Sequence, residues 1–225
     1  VRWGTVRVEV LRRAAFRAGG AAAVVLAVTG ANRAGELSVS SVASSPQAIG
    51  EGRVWLLVTS ALIADRPWAA SVVGFAVVAA AALALFSTRT AVVVAFAGHT
   101  VSALSVYALI ASFRLVDPAA FASVLQLSDY GLSAVIGAWL GAIARLLWSR
   151  TPTLRGRLAI VGGSLGCAGI GLALRPDLTV LDAEHVVAFA IGAVLAEPRT
   201  RAWFAGPARR VLSTAASLAS AFPAR

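Results

Sequence analysis

The chain alternates long apolar runs with short spacers that hold nearly all of its charge. A hydrocarbon core about 30 Å thick is crossed by a helix of about 20 apolar residues, with about 17–25 as the working range. Cutting the chain at its charges predicts six spans, at residues 18–32, 67–88, 90–113, 130–148, 158–174 and 178–196. The first is short unless Arg17 or Arg33 extends its side chain to an interface, and the fourth reaches Trp148 only if Arg145 does the same. The second opens on Pro67, which suits a first helical turn. Residues 1–17 form a basic lead-in. Residues 197–225 form a basic tail in which Arg199, Arg201, Arg209 and Arg210 sit among Trp203, Phe204, Val211 and Leu212. That tail reads equally as an amphipathic helix on a leaflet and as a disordered arm. The expected fold class is all-α, a single polytopic bundle.

Composition removes the soluble alternative. Apolar residues are 59% of the chain and charged residues 13%, with a mean hydropathy of +0.82. A globular domain has about 45–50% and about 25%. The lone Cys167 lies in an apolar run, which excludes a disulfide framework and a cysteine metal site, and no metal or other cofactor is called for. The basic residues number 20 and all are arginine, giving a net charge of +10. They sit in the spacers, so the expected partner is the anionic lipid surface and not nucleic acid.

Arginine placement sets the orientation of such a bundle. With the N-terminus inside, only Arg33, Arg53, Arg66, Arg114 and Arg175 fall in outside segments, and the others fall inside. Six spans with both termini cytoplasmic follow, in a multi-pass protein of the plasma (inner) membrane. The Ala- and Arg-rich usage suits a GC-rich bacterial genome. Thr29-Gly30-Ala31 also resembles the cleavage site of a signal peptide. The expectation is that the first span is retained, because the later spans need no leader to insert.

The longest outside segment, residues 33–66, opens on a Ser-rich stretch and ends in an apolar run with Trp55 that is too short to span. It predicts an interfacial or re-entrant element. Polar groups within spans are expensive and therefore informative. Asp129 leads into Gly131-Leu132-Ser133 at the mouth of the fourth span, and Asp182, Glu184 and His185 open the sixth. Both spans enter from the outside. At 1.5 Å per residue, Ser133 and His185 lie at a similar depth, about 5–8 Å below that surface. A serine needs an adjacent base to become a nucleophile, and histidine is the usual one. His99, near the middle of the third span, is expected too deep to serve Ser133 and is read as a satisfied contact of Ser71, Thr100 or Ser102. The glycines of the later spans (Gly137, Gly141, Gly162, Gly163, Gly166, Gly169, Gly192) are read as helix packing.

The run Gly50 to Ser60, Gly131-x-Ser133 early in span four, and His185 early in span six, followed by small residues at Ala188 and Gly192, resemble the rhomboid intramembrane serine proteases over about residues 50–196. The resemblance implies a six-transmembrane-helix rhomboid-like bundle with Ser133 as nucleophile and His185 as general base. Backbone around Gly131 and Leu132 would supply part of the oxyanion hole, and Ala188 and Gly192 would pack near the dyad. Cleavage of transmembrane substrates near their outer ends is the activity implied. Three departures accompany it: span two lacks the usual His-x-x-x-Asn, Ala134 follows the serine, and Gly137 stands where an aromatic often does. The alternative is a catalytically inactive rhomboid-like protein that binds membrane helices of partner proteins. A small transporter is disfavoured because no inverted repeat is seen.

Overall fold

The computed structural model describes residues 3–64, 67–173 and 180–197. Residues 174, 178–179 and 198–225, at the edges of the fifth and sixth expected spans and in the basic tail, lie outside them. Among the described residues the chain is almost wholly helical, with one isolated antiparallel bridge between Ser44 and Asp129. The helices are α1 (Trp3–Arg33), α2 (Val39–Val42), α3 (Pro46–Gly50), α4 (Leu56–Thr59), α5 (Trp68–Leu85), α6 (Thr88–Arg114), α7 (Pro118–Ala122), α8 (Leu132–Arg150), α9 (Leu154–Ala173) and α10 (Ala183–Leu195).

Four of them, the Val8–Arg33 part of α1 and all of α5, α6 and α8, are long and apolar enough to cross a membrane. They also present apolar side chains outward, Val73 and Val77 from α5 and Phe96, Leu104 and Leu109 from α6. A water-soluble bundle would turn those residues inward; the protein is a membrane protein. The expected first span, 18–32, is too short by comparison, because the helix continues through Arg12, Arg13 and Arg17. Pro67 precedes α5 in extended backbone and is not part of its first turn. The expected sixth span, 178–196, is an apolar helix of only 13 residues, preceded by a 3₁₀ turn at Val180–Asp182.

The core gathers where α8 meets its neighbours. Trp139 donates its indole N–H to Ala91 O of α6 at 2.8 Å and packs on Phe75 of α5, ring centroids 5.4 Å apart. A backbone carbonyl near a helix start accepts that proton, so the large ring is buried with its one donor satisfied. Closer still is the contact between α8 and α10. A Cβ on Gly137 would sit 3.2 Å from His185 O, and one on Gly141 would overlap the Phe189 carbonyl. Four residues on in one helix match four in the other, so the two run parallel. Gly192 of α10 likewise abuts the Ala138 carbonyl, and Gly98 of α6 abuts the Ala138 methyl. Small residues let helix backbones approach where no water is available to drive association. The expectation that all the late glycines serve packing is corrected for α9: a Cβ at Gly162, Gly163 or Gly166 would meet nothing within 4 Å.

Between α1 and α5 the chain is folded down onto this bundle. Ser45 caps α3 by accepting the Ala48 N–H at 3.1 Å, and Gly52 makes the following turn at φ +87°. That left-handed backbone favours glycine, which carries no Cβ penalty there. The Gln47 amide, with the Arg53 guanidinium behind it, holds the exposed Glu51 carboxyl below the usual range. Thr59 Oγ1 donates to Val42 O at 2.9 Å, and the Ala64 N–H donates to Thr29 Oγ1 of α1 at 3.0 Å. Trp55 and Val58 point outward while Leu56 and Leu57 are buried.

Gly141→Leu forces a branched side chain into the Phe189 backbone, which cannot swing aside as a side chain would. The expected loss is about 1–3 kcal/mol, seen as a lower thermal unfolding midpoint in detergent. Gly163→Ala, facing open space, is expected to leave the midpoint unchanged or raise it. Equal midpoints for the two variants would refute the glycine-spaced contact.

Candidate active site

Gly131 is the residue before α8, at φ −74° and ψ −1°, and Leu132 behind it is buried. Ser133 therefore lies in the first turn, half-buried, with its Oγ 3.5 Å from Tyr130 O. The first N–H groups of a helix have no partner within it, so this turn presents donors as well as a hydroxyl. His185 lies in the first turn of α10, also half-buried. Its Nδ1–H donates to Asp182 O at 3.0 Å, with the Asp182 carboxylate 3.8 Å away. An imidazole that gives its Nδ1 proton to a carbonyl has Nε2 as its acceptor nitrogen. Because Gly137 touches the His185 backbone, the first turn of α10 stands beside the second turn of α8, one turn beyond Ser133 and not level with it, at the same end of a parallel pair. Helical side chains tilt toward the N-terminus, which aims His185 back toward the level of Ser133. Ala188 and Gly192 lie fully buried in the same seam.

Behind these turns lies a second polar cluster that the sequence reading missed. His99 is not at mid-depth below the serine: a Cβ on Gly131 would overlap its ring, so the imidazole lies against the residue before α8. The α6 register places His99 there because Gly98 lets α6 approach α8. His99 is a satisfied contact, but Ser71 and Thr100 are not its partners. Its Nε2 pairs with Ser60 Oγ at 3.1 Å and its Nδ1 with Glu184 Oε1 at 3.0 Å. Ser102 Oγ lies 2.9 Å from His99 O and 3.1 Å from Glu184 Oε1. Thr100 Oγ1 finds no hydrogen-bond partner among the described residues. The cluster continues through Ser44, whose Oγ reaches Ser60 Oγ at 3.2 Å and Tyr107 OH at 2.9 Å. The Tyr107 hydroxyl donates to Asp129 Oδ2 at 2.5 Å. Glu184 is hydrogen-bonded to Asp129 in turn.

The signal for this cluster was present as a stripe. His99, Ser102 and Tyr107 share one face of α6, and Glu184 opens an otherwise apolar helix. What no spacing rule supplies is the long-range partner, since Ser44 and Ser60 come from the folded-down segment. Ser60, His99 and Glu184 have the spacing of a nucleophile, base and orienting acid. Yet Ser60 is 0% exposed, His99 1% and Glu184 2%, and Ser44 donates onto the Ser60 oxygen. A substrate carbonyl has no approach to that oxygen, so the cluster is structural in its reach and Ser133 remains the accessible hydroxyl.

Asp129 is buried just ahead of α8, and its carboxyl is pushed up to about 8. Burial is the largest cause, followed by the nearby Glu184 charge; the Tyr107 hydroxyl and His99 pull the other way. The unfolded value is 3.8, so the folded state holds more protons between the two. Stability contributed by neutral Asp129 is full below pH about 4 and is lost as pH rises toward about 8. Thermal midpoints in detergent are expected to fall from pH 5 to pH 8. Asp129→Asn, neutral throughout, is expected to flatten that slope, and an unchanged slope in the variant would refute the assignment.

Comparison with known proteins finds no matching family, no matching curated protein and no matching solved structure. The functional reading stands on the site's own residues.

Proposed function

We propose that the protein is a rhomboid-type intramembrane serine endopeptidase, with Ser133 as nucleophile and His185 as general base. The observation that carries this reading is the His185 tautomer. The Nδ1–H bond to Asp182 O leaves Nε2 as the proton acceptor, on a turn whose backbone touches Gly137, one turn beyond Ser133. In this reading Ser133 Oγ attacks a substrate peptide carbonyl and its proton passes to His185 Nε2. His185 returns the proton to the leaving amine, and water then releases the acyl group by the same two transfers. The Gly131 N–H, expected as an oxyanion donor, is spent on Ser60 O at 3.0 Å, so in this reading the donors to the developing oxyanion are the backbone N–H groups from Leu132 onward in the first turn of α8.

The reading takes α9 and α10 as the fifth and sixth spans of a six-span bundle with both termini in the cytoplasm. The dyad then lies near the outer face of a bacterial inner membrane, within reach of transmembrane substrates entering from the lipid. Orientation rests on the arginines of the spacers. The start of α5, Trp68-Ala69-Ala70-Ser71, has no His or Asn to add an oxyanion donor, and the Ser71 hydroxyl is spent on Pro67 O at 3.3 Å. One missing donor costs about 10²–10³ in rate in a serine protease, so the enzyme is a slow one. That same gap favours a second reading, in which the fold is kept for binding membrane helices of client proteins and the dyad is silent.

A fluorophosphonate probe added to detergent-purified protein is expected to label the peptide containing Ser133. Labelling should vanish in Ser133→Ala and slow by about 10²–10⁴ in His185→Asn, the usual worth of a positioned base. A folded, monodisperse preparation that takes no label would turn the assignment to the client-binding reading.

A further inference from the structure

The buried cluster joins the two proposed catalytic turns from behind. The Gly131 N–H, two residues before Ser133, donates to Ser60 O at 3.0 Å. The Ser60 hydroxyl meets His99 Nε2 at 3.1 Å, and His99 Nδ1 meets Glu184 Oε1 at 3.0 Å. Glu184 immediately precedes His185. The ring is closed on the other side by Gly137 against the His185 backbone. Each link bridges a different pair of elements: α8 to the 3₁₀ turn at Ser60–Leu62, that turn to α6, α6 to α10, and α10 back to α8.

We infer that Ser60, His99 and Glu184 form a positioning relay that sets the relative placement of the first turns of α8 and α10, and so of Ser133 and His185. The inference rests on the reading of those two residues as the working pair. The chemistry favours it. Glu184 accepts from His99 and Ser102 at the same Oε1 and is bonded to Asp129 as well. A carboxyl group buried among apolar side chains is stable only with such hydrogen-bond partners, and losing one leaves the other groups unsatisfied. The relay is therefore all-or-none, which suits a device that fixes one geometry. A rigid imidazole wedged on Gly131 also leaves the start of α8 no room to tilt toward α6.

A merely structural cluster would loosen the whole bundle when cut, whereas a positioning relay would loosen its two ends together. Amide hydrogen exchange on the full chain in detergent separates the cases. The variants are Glu184→Gln, nearly isosteric, and His99→Phe, which keeps a ring but no hydrogen bond. Trp139→Phe is the control, because it cuts a buried hydrogen bond elsewhere in the same core. Exchange should rise by about tenfold or more at residues 131–137 and 183–188 in both relay variants, with α5 and the rest of α6 unchanged. In parallel, the maximal rate of fluorophosphonate labelling should fall by about 10²-fold at unchanged probe affinity, the cost of a misplaced catalytic group. Exchange that rises at only one turn, or everywhere as in Trp139→Phe, would overturn the inference. So would labelling unaffected by loosened turns. If the two turns loosen together in protein that never takes the probe, the relay stands and the protease reading falls.

Discussion

A carboxyl group removed from water among apolar helices must find its hydrogen-bond partners inside the protein, and Glu184 finds them on three sides. His99 and Ser102 come from α6, and the Asp129 carboxyl comes from the chain entering α8. The packing around the starts of α8 and α10 follows from that requirement. Donors on α6 mean that α6 must lie against α10. Asp129 must reach the same point, which brings the start of α8 there too. His99 then has a second nitrogen to satisfy, and Ser60 does so from the folded-down segment between α1 and α5. A single buried carboxyl group thus draws four separate stretches of chain to one spot.

Glycine makes that convergence possible. The α8–α10 seam is held at backbone contact by Gly137, Gly141 and Gly192, and Gly98 lets α6 close on Ala138. With side chains at those positions the helices would stand further apart, and 3 Å hydrogen bonds between them could not form. Van der Waals contact and buried polar pairing act on the same register, each excluding the positions that the other would tolerate. Such agreement between packing and polar satisfaction is what selects one arrangement from the several that apolar helices would otherwise share.

Much of the helical layout could be read in the chain, because apolar runs between arginines admit few other structures. The starts of α5, α6 and α8 fall within a few residues of the charge-defined cuts. The errors came where charge was a poor guide to helix ends. The helix of the first span runs on through Arg12, Arg13 and Arg17, since arginine is a good helix former and carries its charge on a long arm. The helix of the expected sixth span is shorter than its apolar run because the chain first makes a 3₁₀ turn at Val180–Asp182. Ser133 and His185 stand where the local motifs put them, each in the first turn of a helix. Ser44 and Ser60 were not legible, because a serine in a loop carries no mark of the imidazole it will meet across 39 residues of chain. His99 was misplaced in depth for a related reason. Counting from a helix end assumes that neighbouring helices start level, and α8 starts beside His99, near the middle of α6, not beside its end.

The sharing of one polar cluster among distant segments also bears on how the chain is built. The α10 helix has 13 residues and opens beside Asp182 and Glu184, so by itself it is a poor candidate to enter lipid. Its acid acquires donors only when α6 and the start of α8 are already in place. Synthesis supplies those segments first, and the late helix then arrives at a prepared seat instead of at bare hydrocarbon. In that order of events the cluster acts as an assembly checkpoint: a chain whose earlier helices are misassembled offers α10 no partner to seat its acid.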